Sequence, residues 1–400
     1  MFIQLFAALL CGIIVGVVAG IVPGIHTNLV SVLVLSLSPL LLKYTNIICV
    51  AVFLISMSVV HIFLSCIPAI FLGAPDSDNA LGVLPGHRFL LKGRGMEAVK
   101  LNLAGCFAAL LLSIAFFPLL IPAVKFIYPF LEKIMGYVLL AIALFMVLRD
   151  SNRLWAALIF LLAGILGLIV LNWPNFRDPL FPMFSGLFGV STLVYSLNSR
   201  NKIPRQRHDT GLRLKKRVLF RALLSGNVSG FITALLPGLS TSIAAVISLQ
   251  FTRNMGEDGF MVLLGSVNVF NFVLSLATLY AIDKARNGSV VAVQQLVESI
   301  SANHLVIFLA AALVAGSAGL FLALKIGKIF AKLVSKVHYR KLVLSVVAFI
   351  AVLVFLMTGI AGLAVLAVSA AIGMLAPLLN VRRTHAMACL LLPCIVYYLL

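Results

Sequence analysis

The sequence predicts an all-α, polytopic integral membrane protein, an inverted-topology repeat of two halves. Each half combines a Pro-Gly-interrupted helical hairpin with about five transmembrane helices. Three observations predict this class. Hydrophobic residues make up 62% of the 400 residues and charged residues only 10%. Apolar stretches of about 18 residues or more, long enough to cross a bilayer, recur along the chain. Two of these stretches are interrupted by Pro-Gly in the same way.

The first half, residues 1–198, opens with an interrupted apolar segment that contains "GIVPGIHTNLVSVLVL". A Pro-Gly pair followed by small polar residues ends one helix and starts another. We expect this segment to re-enter or to cross twice within about residues 3–42. Uninterrupted apolar runs then predict spans near 47–71, 98–121, 135–149, 153–172 and 182–198.

A basic linker, residues 199–217, separates this half from the second one, residues 218–400. The second half opens with its own interrupted segment, which contains "ALLPGLSTSIAAVISL" within about 219–251. The same reading of apolar runs predicts spans near 259–281, 303–324, 342–358, 360–380 and 384–400.

Similarities between the halves predict a duplication. Gly12, Gly16 and Gly20 precede the first Pro-Gly with the spacing that Gly226, Gly230 and Ala234 show before the second. Small residues at this spacing let helices approach closely in lipid. Two further pairs occur in the same order: "GRGMEAVKL" with "ARNGSVVAVQQL", and "AGILGLIVLN" with "SAAIGMLAPLLN". Each half has five uninterrupted spans, an odd number, and a hairpin that adds an even number of crossings. Two such halves joined in series therefore face opposite ways.

The distribution of basic residues predicts the orientation. With the linker in the cytoplasm, 24 of the 30 Lys and Arg residues fall on the cytoplasmic side. Cytoplasmic loops carry this excess in membrane proteins. We therefore expect a multi-pass protein of the cell membrane with both termini extracytoplasmic. The net charge of +19 follows from these loops and does not indicate nucleic acid.

The two helix breaks are the leading candidate for a substrate site. Secondary transporters bind substrate near the midplane, where inverted repeats bring discontinuous helices together. The start of a helix offers N–H groups and a positive dipole end to an anion. The alternatives are proline kinks supported by neighbouring helices, and ordinary N-cap roles for Thr27 and Ser240. The predicted substrate-binding residues are Pro23, Gly24, His26, Thr27, Asn28, Pro237, Gly238, Ser240, Thr241, Ser242, Asn268 and Asn271.

A second polar segment, "GAPDSDNALGVLPGHRFLLKGRGMEAVKL", follows the first plain span. Ionisable groups near membrane depth mark ion pathways. We expect Asp76, Ser77, Asp78 and Asn79 to couple H⁺ or Na⁺, and we expect no other cofactor. Arg88 and Arg94 are accessory basic candidates for an anion. The alternative is a solvated loop that follows the positive-inside rule.

Motifs that would indicate other functions are absent from the sequence. It contains no P-loop, HExxH or GxSxG motif, so we predict no catalytic residues and no enzyme. Its six cysteines stand singly in apolar segments, which predicts no disulfide framework and no metal site.

The first Pro-Gly break and the segment "GAPDSDNALGVLPGHRFLLKGRGMEAV" resemble the large membrane subunit of tripartite tricarboxylate transporters, the TctA family, in a form similar to its archaeal members. The resemblance spans most of the chain. It implies carboxylate uptake, with a small membrane subunit and an extracytoplasmic binding protein as partners. Both breaks depart from the family's glycine-rich sequences, reading Pro-Gly-Ile-His-Thr-Asn and Pro-Gly-Leu-Ser-Thr here.

The expected function is secondary transport of a small organic anion, similar to a di- or tricarboxylate, coupled to H⁺ or Na⁺. The alternative is a translocase of polyprenyl phosphate that uses the same breaks for the phosphate headgroup. A third possibility is a scaffold subunit that does not transport, which would need no polar site at the midplane.

Overall fold

A computed structural model describes residues 2–22, 27–73, 83–174, 176, 179–197, 204–207, 211, 214–236, 241, 244–245, 248, 252, 255–285, 287–297, 299–334 and 339–400. Within these residues the regular structure is entirely helical. Nine helices there are long and apolar enough to cross a membrane. The predicted class, an all-α polytopic membrane protein, is therefore confirmed.

The first half contributes ten α-helices and one π-helical turn, at Ser185–Val190, to the described part. The helices are α1 Phe2–Ile21, α2 Thr27–Leu41, α3 Ile47–Leu64, α4 Cys66–Phe71, α5 Val83–Leu91, α6 Gly95–Ala115, α7 Phe117–Leu148, α8 Arg153–Leu171, α9 Leu180–Phe184 and α10 Ser191–Leu197.

The second half contributes six fully bounded α-helices to the described part, with a short 3₁₀ turn at Arg383–Met387 before the last of them. They are α11 Lys216–Leu235, α12 Gly256–Ile282, α13 Gly288–Leu296, α14 Ala302–Val334, α15 Tyr339–Leu378 and α16 Ala388–Leu399.

Two sequence-based boundaries can be compared directly with the structure. The predicted loop between residues 121 and 135 is wrong, because α7 runs unbroken from Phe117 to Leu148 with Pro122 and Pro129 inside it. Prolines are tolerated in membrane helices, where neighbouring groups satisfy the freed backbone. The predicted boundary near 359 is correct: Gly359 is non-helical (φ 68°, ψ −159°) and kinks α15.

Glycines set the closest helix contacts around the buried helices α3 and α12. A Cβ placed on Gly12 of α1 would lie 2.6 Å from the Phe53 carbonyl oxygen, and one on Gly16 would lie 2.5 Å from the Met57 carbonyl oxygen. These helices therefore touch backbone to backbone, as small-residue interfaces in membranes allow.

The same contacts recur between α11 and α12. A Cβ on Gly226 would lie 3.0 Å from the Leu263 carbonyl oxygen, and one on Gly230 would lie 3.1 Å from that of Val267. Leu263 and Val267 each follow their α3 counterparts, Phe53 and Met57, by 210 residues. This constant offset supports the predicted duplication. The opposite orientation of the halves stays a prediction.

A buried, hydrogen-bonded pair of side chains joins the α7–α8 turn to the 3₁₀ turn before α16. Asp150 and His385 lie 3.0 Å apart, Oδ2 to Nε2, and both side chains are about 1% exposed. The backbone N–H of Arg382 also donates to Asp150 Oδ2 (3.3 Å), and that of Asn152 donates to Oδ1 (3.1 Å). Burial opposes ionisation of Asp150, but these hydrogen bonds outweigh it and lower the pKa of its carboxyl. The carboxylate thus fastens the first half to the second.

Candidate functional site at the first helix break

Both predicted breaks coincide with helix ends. Helix α1 ends at Ile21 and α2 begins at Thr27, while α11 ends at Leu235. Leu236 has an extended backbone (φ −98°, ψ 113°), so the chain leaves the helix just before Pro237. The two helices that lead into the breaks end 214 residues apart. Gly12 and Gly226, and Gly16 and Gly230, are separated by the same number of residues.

The first turn of α2 lies against the start of α13, from the other half. A Cβ on Gly288, the first residue of α13, would collide with the Asn28 side-chain amide. One turn further along α2, the Ser31 hydroxyl donates to the Ser289 hydroxyl (3.1 Å). Both serines are about 1% exposed. The residues after the first break thus face a helix N-terminus across the boundary between the halves.

The N-terminus of α13 is held in place by its own hydrogen bonds. Asn287 caps the helix, because its side-chain oxygen accepts from the Ser289 N–H (3.1 Å). The Asn287 N–H in turn donates to the Ser275 hydroxyl on α12 (3.1 Å). A continuous polar chain therefore runs from α12 through the α13 cap to Ser31 of α2.

The predicted site residues of α12 belong to the same helix face as Ser275. Residues three and four positions apart share one side of a helix, which places Asn268, Asn271 and Ser275 in one stripe. Asn268 is buried and Asn271 is half-buried. The 210-residue offset assigns Asn268 and Asn271 the counterparts Ser58 and His61 on α3, both buried. The sequence analysis did not assign Ser58 and His61 to the site, and the 210-residue offset is the signal that identifies them.

The remaining predicted residues of the breaks are only partly described. Thr27 and Thr241 are helical and buried. Contact between the two breaks stays a prediction. The predicted residues that lie outside the described part are Pro23, Gly24, His26, Pro237, Gly238, Ser240, Ser242, Asp76, Ser77, Asp78 and Asn79.

The accessory bases lie in an ionic cluster between the halves. Arg88 contacts Glu257 (3.1 Å), in the first turn of α12. Arg94 binds both carboxylate oxygens of Glu97 (2.8 Å each) and also contacts Asp258 (3.2 Å). The hydrogen bonds to Glu97 raise the pKa of Arg94. Both guanidinium groups therefore bind protein carboxylates here, and their contact with a substrate stays a prediction.

Other chemistry is not indicated in the described residues. No group of three or more His, Cys, Asp or Glu side chains there could hold a metal ion. His87, on α5, is buried, and this burial lowers the pKa of His87 to about 4. Its imidazole is therefore neutral at pH 7.

Comparison with known proteins decides the family. The model of the tripartite tricarboxylate transporter TctA family matches residues 6–388. This chain belongs to the TctA family. An uncharacterized protein of Methanocaldococcus jannaschii is 29% identical to this TctA member over 378 residues, which cover 92% of this chain and 93% of that one. No solved structure matches this chain.

Family membership confirms the resemblance inferred from the sequence and identifies a membrane transporter component. TctA proteins are the large subunit of a tripartite system that works with other subunits and a binding protein. The family is one of transporters and not of enzymes, in agreement with the absence of catalytic motifs. The TctA member described here is a multi-pass membrane protein, and the orientation of its termini stays a prediction.

Proposed function

We propose that this TctA protein is a secondary transporter of a small di- or tricarboxylate, coupled to H⁺ or Na⁺. One observation carries the proposal: the polar turn after the first break lies against the capped N-terminus of α13, across the boundary between the halves. A carboxylate there would meet Asn28, the two serine hydroxyls and N–H groups at the starts of two helices. Helix starts favour anions through these N–H groups and through the helix dipole.

The position of the site suits alternating access. Its two sides belong to different halves, so a movement of one half against the other would open or close it. Transporters with inverted repeats work by such rocking around a central site. We propose that Asn268 and Asn271 extend the site along α12, and that the second break completes it through Thr241 and its neighbours. The acidic segment at residues 76–79 would supply the coupling ion's ligand or proton acceptor.

Direct binding of radiolabelled citrate and other di- and tricarboxylates to the purified protein tests the proposal without the partner subunits. We expect saturable binding to the wild type. Asn28→Ala should weaken it at least about tenfold, because a lost hydrogen bond to a charged group costs about 1.5–3 kcal/mol. Ser38→Ala is the matched control on the same helix. Among the described residues, the Ser38 hydroxyl bonds only its own helix, at the Leu35 carbonyl (2.7 Å).

Uptake into proteoliposomes under imposed H⁺ or Na⁺ gradients then identifies the coupling ion. Uptake that responds to neither gradient would contradict secondary transport. Binding of polyprenyl phosphate with no binding of any carboxylate would favour the lipid translocase instead. Equal carboxylate binding by the wild type and Asn28→Ala would exclude the first break as the site.

A further inference from the structure

The linker between the halves contains a residue that is almost fully buried. Gln206 is 2% exposed, although its neighbours Arg205 and Arg207 are exposed. Its side-chain amide accepts from the Gly95 N–H (3.0 Å) and donates to the carbonyl of Leu90 (2.9 Å). A linker that served only as a tether would leave this amide in water.

Gln206 connects two helix ends. Gly95 begins α6, and its N–H is one of the helix-start donors that have no partner within the helix. Leu90 lies in the last turn of α5, where carbonyls also lack helical partners. The Leu90 carbonyl accepts from the Gly93 N–H (3.0 Å) within the turn. The Gln206 amide donates to the second lone pair of the same carbonyl oxygen. One side chain therefore ties α5 to α6.

The turn that receives Gln206 is shaped to fit the linker. The Arg207 N–H donates to the Gly93 carbonyl (3.0 Å), so the two backbones pair directly. Gly93 has φ +72°, where glycine is favoured, and a Cβ on it would lie 3.1 Å from the Arg205 carbonyl oxygen. A Cβ on Gly95 would lie 2.9 Å from the Gln206 side-chain oxygen. A side chain at either glycine would therefore crowd the linker.

Arg94 stands between these two glycines. Its guanidinium binds Glu97 and reaches Asp258 on α12 (3.2 Å), the helix that also carries Asn268 and Asn271. The backbone on both sides of Arg94 is thus held by the linker, while its side chain spans the boundary between the halves. Movement of the turn would alter the Arg94–Asp258 contact directly.

We propose that Gln206 is a positioning residue of the transporter: it fastens the linker to the α5–α6 turn and holds Arg94 against Asp258. The linker is thereby a working part of the contact between the halves. The positional claim stands on the hydrogen bonds alone, and its consequence for transport rests on the proposed function.

Hydrogen–deuterium exchange of the purified protein tests the positional claim independently of any substrate. Gln206→Ala should speed exchange within residues 93–98, by about tenfold at the Gly95 amide, since this N–H loses its acceptor on Gln206. Gln206→Met, which keeps the volume but not the hydrogen bonds, should do the same. The controls Arg205→Ala and Arg207→Ala should leave exchange unchanged, because each removes only an exposed side chain. Unaltered exchange in Gln206→Met would overturn the proposal.

Citrate uptake tests the consequence. Gln206→Met should lower the maximal rate with little change in the apparent affinity, because Gln206 lies at the linker and not at the first break. In an Asp258→Asn background, Gln206→Met should cause no further loss, because it acts through the Arg94–Asp258 contact. Losses that multiply in the double variant would contradict positioning through Arg94, whatever the exchange experiment shows.

Discussion

Removal of the Asp150 carboxylate should destabilise the junction between α8 and α16 strongly. In Asp150→Ala, the buried His385 ring loses its hydrogen-bond partner and the N–H groups of Asn152 and Arg382 lose their acceptor. Each buried donor left without an acceptor costs about 1–3 kcal/mol, and local relaxation recovers part of this, so about 3–5 kcal/mol is expected for the three donors together. Asp150→Asn keeps the shape and part of the hydrogen bonding, so about 1–3 kcal/mol is expected.

Cys389 reports the opening of this junction. Its thiol is buried, it lies in the first turn of α16, and a Cβ on Gly167 of α8 would collide with the Cys389 carbonyl. Labelling of a buried thiol requires local opening. A loss of about 3–5 kcal/mol should therefore raise the labelling rate of Cys389 by roughly a hundredfold to a few thousandfold in Asp150→Ala. Mass spectrometry of the labelled residue measures the rate.

The pH dependence has a definite sign. The pKa of Asp150 is lowered in the folded protein. Its contribution to the stability of the junction is therefore complete above the ordinary carboxyl pKa of about 3.9, and it is lost as the pH falls through the lowered value. Labelling at pH 7 thus measures the full effect. Ser151→Ala, which removes only a 3.4 Å hydrogen bond to Asp150, should stay within about twofold of the wild type. A Cys389 rate in Asp150→Ala within twofold of the wild type would refute the reasoning.

Three further predictions concern single residues. Because burial lowers the pKa of His87 to about 4 from an ordinary 6.5, stability should fall by about 3 kcal/mol between pH 6.5 and 4, and His87→Phe should flatten this part of a pH–stability curve. Gly105→Leu should prevent folded, monodisperse protein in size-exclusion chromatography, since even a Cβ at this position would collide with the Val262 carbonyl; a normal profile would contradict the α6–α12 contact. Glu132→Gln should shift thermal stability by no more than about 1 kcal/mol, because its pair with Lys284 (2.6 Å) is about half exposed.

The helices and their breaks were largely predictable from the sequence. Apolar runs define their lengths, and Pro-Gly forces α1 and α11 to end where they do. The unbroken α7 was not predictable, because Pro122, Pro129 and two lysines within 14 residues are equally typical of a loop. Membrane helices tolerate prolines, so the sequence is compatible with both a loop and a helix here.

The contacts that make up the candidate site were beyond sequence reasoning. Asn28 was a candidate because it follows a break, but its contact with Gly288 joins residues 260 positions apart. Ser31 and Ser289 each resemble an ordinary serine of an apolar helix. Gln206 resembles any polar residue of a hydrophilic linker, and only its burial in the structure distinguishes it.

The central claim is that the turn after the first break and the start of α13 form one carboxylate site. Citrate affinity of Asn28→Ala, Gly288→Ala and the double variant tests it most directly, with Gly211→Ala, which has open space around it, as the control. Gly288→Ala should act by displacing the Asn28 amide, so each single variant should bind at least about tenfold more weakly and the double variant should match Asn28→Ala. Unchanged affinity in Gly288→Ala, or losses that multiply in the double variant, would contradict the account.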